Sequence, residues 1–106
     1  MELAPYEGWL DDAPVAFGVL RGGRFVWGNR ALLELLDVSL ETFVTMRLVD
    51  PIAPEDRARV AERHARRVAN ALVPDSYRFS VLRADGSRRD AEIFVSRRGE
   101  DVLFQL

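Results

Sequence analysis

Hydrophobic and polar positions change period several times along the chain, and those changes mark out its elements. Residues 7 to 12, EGWLDD, predict a short N-terminal turn or helix that sets Trp9 and Leu10 on apolar surface. From Val15 the period is two. Val15, Phe17 and Val19 alternate with other residues, Gly22-Gly23 supplies the positive φ angles of a tight hairpin, and Phe25 and Trp27 resume the alternation. At Asn29 the pattern becomes helical: Leu32, Leu33, Leu35 and Leu36 follow a natural N-cap. A second short helix starts after Ser39 and turns Leu40, Phe43 and Met46 inward. Pro51 and Pro54 break the chain, and Pro54 opens a longer helix whose first turn carries Glu55 and Asp56.

In that longer helix Ala58, Ala61, Ala65, Val68 and Leu72 form one narrow stripe, predicted to face inward. Arg59, Arg63, Arg66 and Arg67 then fall on the solvent side, with Glu55–Arg59 and Glu62–Arg66 placed to pair one turn apart. After Pro74 the period returns to two. Tyr77, Phe79 and Val81 form one face of a strand, Asp85-Gly86 a hairpin turn, Ala91, Ile93 and Val95 a second strand, and Gly99 a turn into a third. Two strands, three helices and three strands segregated in this order predict an α+β fold, with an antiparallel sheet covered by helices on one face. Leu20, Val26, Leu82, Phe94 and Leu103 have the opposite parity and are expected on the other face, an apolar patch that a monomer seldom leaves wet.

Three local features carry a family resemblance. A strand ends in Asn29 before a Leu-rich helix, Pro54 to Arg57 lead into the long helix, and an Asp-Gly-Ser turn at Asp85 to Ser87 joins two strands. Their order and spacing resemble the PAS domain family from about residue 14 to residue 106. The expected division is therefore an N-terminal capping segment over residues 1–13 and a PAS domain over 14–106. The resemblance implies a PAS-like fold with a five-stranded antiparallel sheet, helices on one face and a cupped interior. It also implies a sensory or regulatory module of a larger bacterial signalling protein, such as a histidine kinase of a two-component system. On that reading a small ligand is sensed in the cup and the signal relayed through a dimer. The alternative is a ligand-free dimerisation or protein-interaction module of a transcription regulator.

Phe25, Trp27, Phe43, Ala61, Ala65, Tyr77 and Phe79 are the expected lining of the cup. Small alanines either leave room for a ligand there or let the helix settle against the sheet, with the aromatic residues filling the gap. Trp9, Leu10, Leu20, Val26, Leu82, Phe94 and Leu103 are the expected contacts of a symmetric homodimer. The alternative is that the N-terminal segment folds back over its own sheet.

The candidate chemistry is sparse. The chain has no cysteine, which removes thiolate catalysis, thiolate metal sites and cysteine-linked chromophores together. His64 is the only histidine. Haem-binding members of the family carry their proximal histidine nearer the start of the long helix. His64 lies further along, roughly 80° from the centre of the alanine stripe, so haem ligation is not expected. Ala65 and Ala69 stand where a kinase phosphoacceptor motif has an acidic residue and a proline. No strained serine turn is evident, and Asp11-Asp12 and Glu100-Asp101 read as solvated pairs rather than metal ligands. The domain itself is expected to be non-catalytic, with no metal site and its cofactor, if any, unknown.

Composition narrows the partners. The 106 residues suit one domain. All fifteen basic residues are arginine, yet the net charge is −2, so neither nucleic acid nor an acidic membrane is an expected partner. No signal sequence or spanning segment is evident, and a cytoplasmic location is expected. PAS relatives continue into a signalling helix beyond the last strand, so a C-terminal output domain is the expected partner in the full-length protein.

Overall fold

Asn29 is where the fold is tied together. The computed structural model describes residues 7–70 and 73–106. Helix α1 (Glu7–Asp12) precedes strands β1 (Phe17–Arg21) and β2 (Arg24–Gly28), which are joined by Gly22 and Gly23 at φ 61° and 77°. Next come helices α2 (Arg30–Leu36) and α3 (Leu40–Phe43), a 3-10 turn at Pro54–Asp56 and helix α4 (Arg57–Val68). Strands β3 (Ser76–Leu82), β4 (Arg88–Arg98) and β5 (Asp101–Gln105) complete the chain. The sheet order is β2-β1-β5-β4-β3, antiparallel throughout, so the last strand pairs with the first at the centre. The α+β architecture with a five-stranded antiparallel sheet is the one expected.

Asn29 is fully buried between β2 and α2. Its Oδ1 accepts from the Leu32 backbone N–H at 3.1 Å, capping α2, and from the Phe17 N–H at 2.9 Å. Its Nδ2 donates to the carbonyls of Leu10 at 2.7 Å and Val15 at 2.8 Å. One side chain thus joins α1, the approach to β1, the end of β2 and the start of α2. Both of its amide hydrogens and both oxygen lone pairs are used.

The core lies between the sheet and the helices. Leu20, Phe25, Phe79, Val81, Ile93, Val95, Val102 and Phe104 of the sheet meet Leu32, Leu36, Phe43, Ile52 and Val60. The helices approach closely where two glycines face each other across β1 and β2. A Cβ on Gly18 would lie 2.3 Å from the ring of Phe104, and one on Gly28 2.9 Å from Leu32 and Phe43.

Three expectations about facing are corrected here. Strict alternation sends Phe25 and Trp27 the same way, but the register runs Val19↔Trp27 and then Leu20↔Phe25. The extra residue, Val26, makes a β-bulge that turns Phe25 into the core and Trp27 to the outer face. Ala16, just before β1, and Leu20 therefore join the core cluster; Val19 lies on the opposite face, where it is nevertheless buried, and Val15 and Phe17 are only partly buried. Leu20, expected on the dimer face, is buried in the core instead. Leu40 of α3 is exposed rather than inward, and Phe43 supplies that helix's core contact.

The third correction concerns α4. Its inward face consists of Val60, Arg63, His64 and Arg67, while Ala58, Ala61, Ala65 and Val68 face solvent. Leu72, expected to end the alanine stripe, lies outside the described residues. Burying a valine is worth about 1.5–3 kcal/mol, several times what an alanine methyl returns. Val60 therefore sets the helix's rotation, and arginine stems follow it inward because their methylenes cover apolar surface. The expected pairing also changes: Arg59 meets Asp56, and Arg88 meets Glu55.

Two substitutions test this account by urea denaturation. Gly18→Ala should cost about 1–3 kcal/mol through overpacking against Phe104 and Leu32, whereas Gly8→Ala, with nothing nearby, should cost no stability. Asn29→Leu keeps the branched outline but strands four backbone groups, and should cost about 3–5 kcal/mol.

Candidate functional site

The cup formed by the sheet and the helices is filled by its own side chains. Phe25 stacks on Phe43 with ring centroids 4.5 Å apart at 25°, and Phe104 tilts against Phe25 at 5.8 Å. The void that remains is about 30 Å³, lined by carbon side chains including Leu20, Leu36, Val60, Phe79 and Phe104. That is room for little more than one water-sized sphere, without the two to four polar partners a water needs. Sites that enclose drug-sized ligands span roughly 300–1,000 Å³.

Of the expected cup residues, Phe25, Phe43 and Phe79 meet in this core. Tyr77 sits at its margin, tilted against Phe79 at 6.1 Å and covered by the Arg63 guanidinium at 4.7 Å from the ring centre. Trp27, Ala61 and Ala65 are not there: the bulge in β2 and the rotation of α4 place them outside.

His64 is half-buried on the inward side of α4, and no hydrogen bond or ion pair holds it. Burial first, then the Arg67 charge, pushes its pKa below the ordinary 6.5, so it is neutral near pH 7. No carboxylate orients the ring as a general base requires. Among the described residues no three histidine, cysteine or carboxylate side chains gather in a way that could hold a metal ion, and no helix is long and apolar enough to cross a membrane.

The outer face of the sheet has a different character. Cross-strand register puts Trp27, Val19, Leu103 and Ser96 in one row and Phe17, Gln105, Phe94 and Ser76 in the next. A charged row follows: Arg24, Arg21, Asp101 and Arg98. Arg21 and Asp101 form a two-pronged ion pair there, Nε–Oδ1 2.6 Å and Nη2–Oδ2 3.1 Å, which holds the Asp101 carboxyl well below the usual range. Phe94 is 48% exposed and Val26 42%. Leu103 is partly buried beside Val19, and Leu82 lies opposite Arg88 near the β3 end. Trp9 on α1 is exposed, while Leu10 is partly buried and gives its carbonyl to Asn29.

The β3 edge is closed from Arg78 to Leu82 by groups from the 3-10 turn, its approach and the start of α4, including Asp56, expected to complement the helix's first turn, and Arg59, expected in solvent. Asp56 Oδ2 accepts from the Ser80 N–H at 2.8 Å, and Arg59 Nη2 donates to the Arg78 carbonyl at 2.8 Å. Ala53 N–H donates to Ser80 at 2.9 Å and Leu82 N–H to Pro51 at 2.8 Å. At the hairpin, Asp85 accepts from the Ser87 N–H, and Arg83 Nε reaches the Leu35 carbonyl at 2.8 Å near the end of α2. The spacing of Asp56 and Arg59 does not reveal these partners, because both lie in a strand about 20 residues later.

No family model matches the sequence, and no curated protein matches it either. Solved structures do match the fold. A domain of the sensory box sensor histidine kinase/response regulator from Geobacter sulfurreducens has a TM-score of 0.81 at 16% identity, covering 94% of this chain and 88% of that one. A PAS domain of a Desulfitobacterium hafniense protein gives 0.69 at 18% identity, with 92% and 94% covered. A PAS domain from a two-component sensor histidine kinase gives 0.71 at 18% identity, with 93% and 86% covered. At these identities the likeness is one of fold.

The carboxyls of Asp50, Glu55, Asp56, Asp85 and Asp101 are all held below their ordinary values, each chiefly by hydrogen bonds it accepts. Groups lowered in the folded state stabilise it above their unfolded pKa and lose that contribution as pH falls, so Tm should drop steeply below about pH 4. His64, also lowered, adds a shallower loss that starts as pH falls through its unfolded value of 6.5. His64→Gln should remove the shallow part of the Tm–pH curve and leave the steep acid limb.

Proposed function

We propose that this PAS-fold domain is a non-catalytic regulatory module of a signalling protein of the sensor histidine kinase kind. It works by contact through the outer face of its sheet, as a symmetric homodimer in a cytoplasmic setting, coupled to an output domain in the full-length protein. The observation that carries this reading is the contrast between the two faces. The cup is filled, with about 30 Å³ of carbon-lined void, while on the other side of the same sheet Phe94 is about half exposed and Trp27 and Leu103 are partly exposed beside a buried Val19. An apolar patch repeated on each copy suits an isologous contact, in which the same surface of two copies meets across a two-fold axis. Resemblance to sensor-kinase PAS domains supports the signalling setting. Fold alone does not assign a ligand.

The sensory version of this reading places a small molecule in the cup. It requires Phe25, Phe43 or Phe104 to move, because the present void admits no cofactor-sized group.

Sedimentation over a concentration series, with native mass spectrometry and an absorbance scan, tests the proposal. The expected result is a colourless dimer that carries no added mass. Phe94→Glu should weaken dimerisation at least roughly tenfold, as expected for a charge set in an apolar contact, while leaving Tm within a few degrees. A monomer at all concentrations, or a Phe94→Glu dimer as tight as the parent, overturns the contact face. A co-purifying small molecule in the cup overturns the ligand-free reading and returns the domain to ligand sensing.

A further inference from the structure

The rotation of α4 creates a feature that the signalling reading does not use. Arg59, Arg63 and Arg66 recur along one side of the helix and, with Glu62, Val73 and Pro74, line a cleft of about 190 Å³ beside the start of β3. This cleft is separate from the core void and from the outer face of the sheet.

The charges in and behind the cleft are unevenly matched. Arg59 is satisfied by Asp56 at 3.2 Å and by the Arg78 carbonyl. Arg63 lies over Tyr77, whose ring offsets part of its charge, but its Nη1 is buried and has no hydrogen-bond partner. It is the one such side-chain atom found among the described residues. Arg67, behind it, is 8% exposed; its Nη2 donates to the neutral Pro74 carbonyl, and among the described residues no carboxylate pairs with it. A buried guanidinium with an unused donor is costly unless an acceptor reaches it. Arginine forks match the planar or tetrahedral oxygens of carboxylate and phosphate.

We propose that this cleft binds a small oxyanion, a phosphate or carboxylate group, seated between Arg63 and Arg66, toward which the Arg63 guanidinium turns so that its Nη1, closed to solvent over Tyr77, gains the acceptor it lacks. The volume is below that of sites enclosing drug-sized molecules, so the ligand is a small anion, or the anionic end of a larger molecule. Glu62 at the rim makes no ion pair and sets a limit on affinity by repulsion. Occupancy clamps the C-terminal half of α4 to the start of β3.

Calorimetric titration of the whole domain with inorganic phosphate, and separately with succinate, against chloride at matched ionic strength tests this. One site is expected, with amide shifts confined to α4 and residues 73–77. Arg66→Gln, at an exposed position, should fold normally and weaken binding roughly tenfold or more, the loss of a charge-assisted hydrogen bond. Arg63→Gln should abolish binding, and Glu62→Gln should tighten it. Arg98→Gln, away from the cleft, should leave anion binding unchanged. Tighter phosphate assigns a phosphoryl ligand, and tighter succinate a carboxylate. No anion-specific heat, or equal losses in Arg66→Gln and Arg98→Gln, overturns the site.

Discussion

One buried amide holds the fold's parts in register. Asn29 spends all four of its hydrogen-bonding positions on backbone groups from three separate segments: Leu10 of α1, Val15 and Phe17 at the entry to β1, and Leu32 of α2. A hydrophobic residue of the same size leaves those groups unpaired in a dry interior, and no other neutral side chain of that length offers two donors and two acceptors. The constraint propagates. With Asn29 fixed, α2 starts at a set angle to β2, Leu32 descends between Gly18 and Gly28, and the sheet and helices close to a distance that excludes a Cβ at either glycine.

That closeness explains why the cup is full. Phe25, Phe43 and Phe104 converge on the space beneath α2 and α3, and their mutual stacking leaves a void too small and too apolar for a hydrated ligand. The bulge at Val26 is the companion device. By inserting one residue it gives Phe25 to the core and releases Trp27 to the other side, two residues that a regular alternation puts on the same face. The apolar outer surface follows from this geometry.

Helix α4 shows the opposite economy. One valine anchors it, and the rest of its inward face is arginine and histidine: Arg63 over Tyr77, Arg67 against Pro74 and His64 kept neutral between them. Its first turns work outward as well, with Asp56 and Arg59 closing the β3 edge against pairing with another chain. A helix built this way holds to the sheet more by polar contacts than by apolar area.

The order of elements was legible in the sequence because each carries a local signal. Gly22-Gly23 requires positive φ, Asn29 and Ser39 cap, Pro54 starts a helix, Asp85-Gly86 turns, and period two or period 3.6 persists long enough to be read. Tyr77, Phe79, Val81, Ile93 and Val95 face as their alternation says because β3 and β4 pair without a slip. Which way Leu20, Trp27, Ala61 and Ala65 point was decided only by the tertiary structure. A bulge is a property of two strands' register, not of one strand's pattern. The rotation of an arginine- and alanine-rich helix is set by what the sheet offers it, here a valine-sized hollow, the Tyr77 ring and a carbonyl at Pro74. Local composition fixes what an element is; the neighbours it meets fix which of its sides is buried.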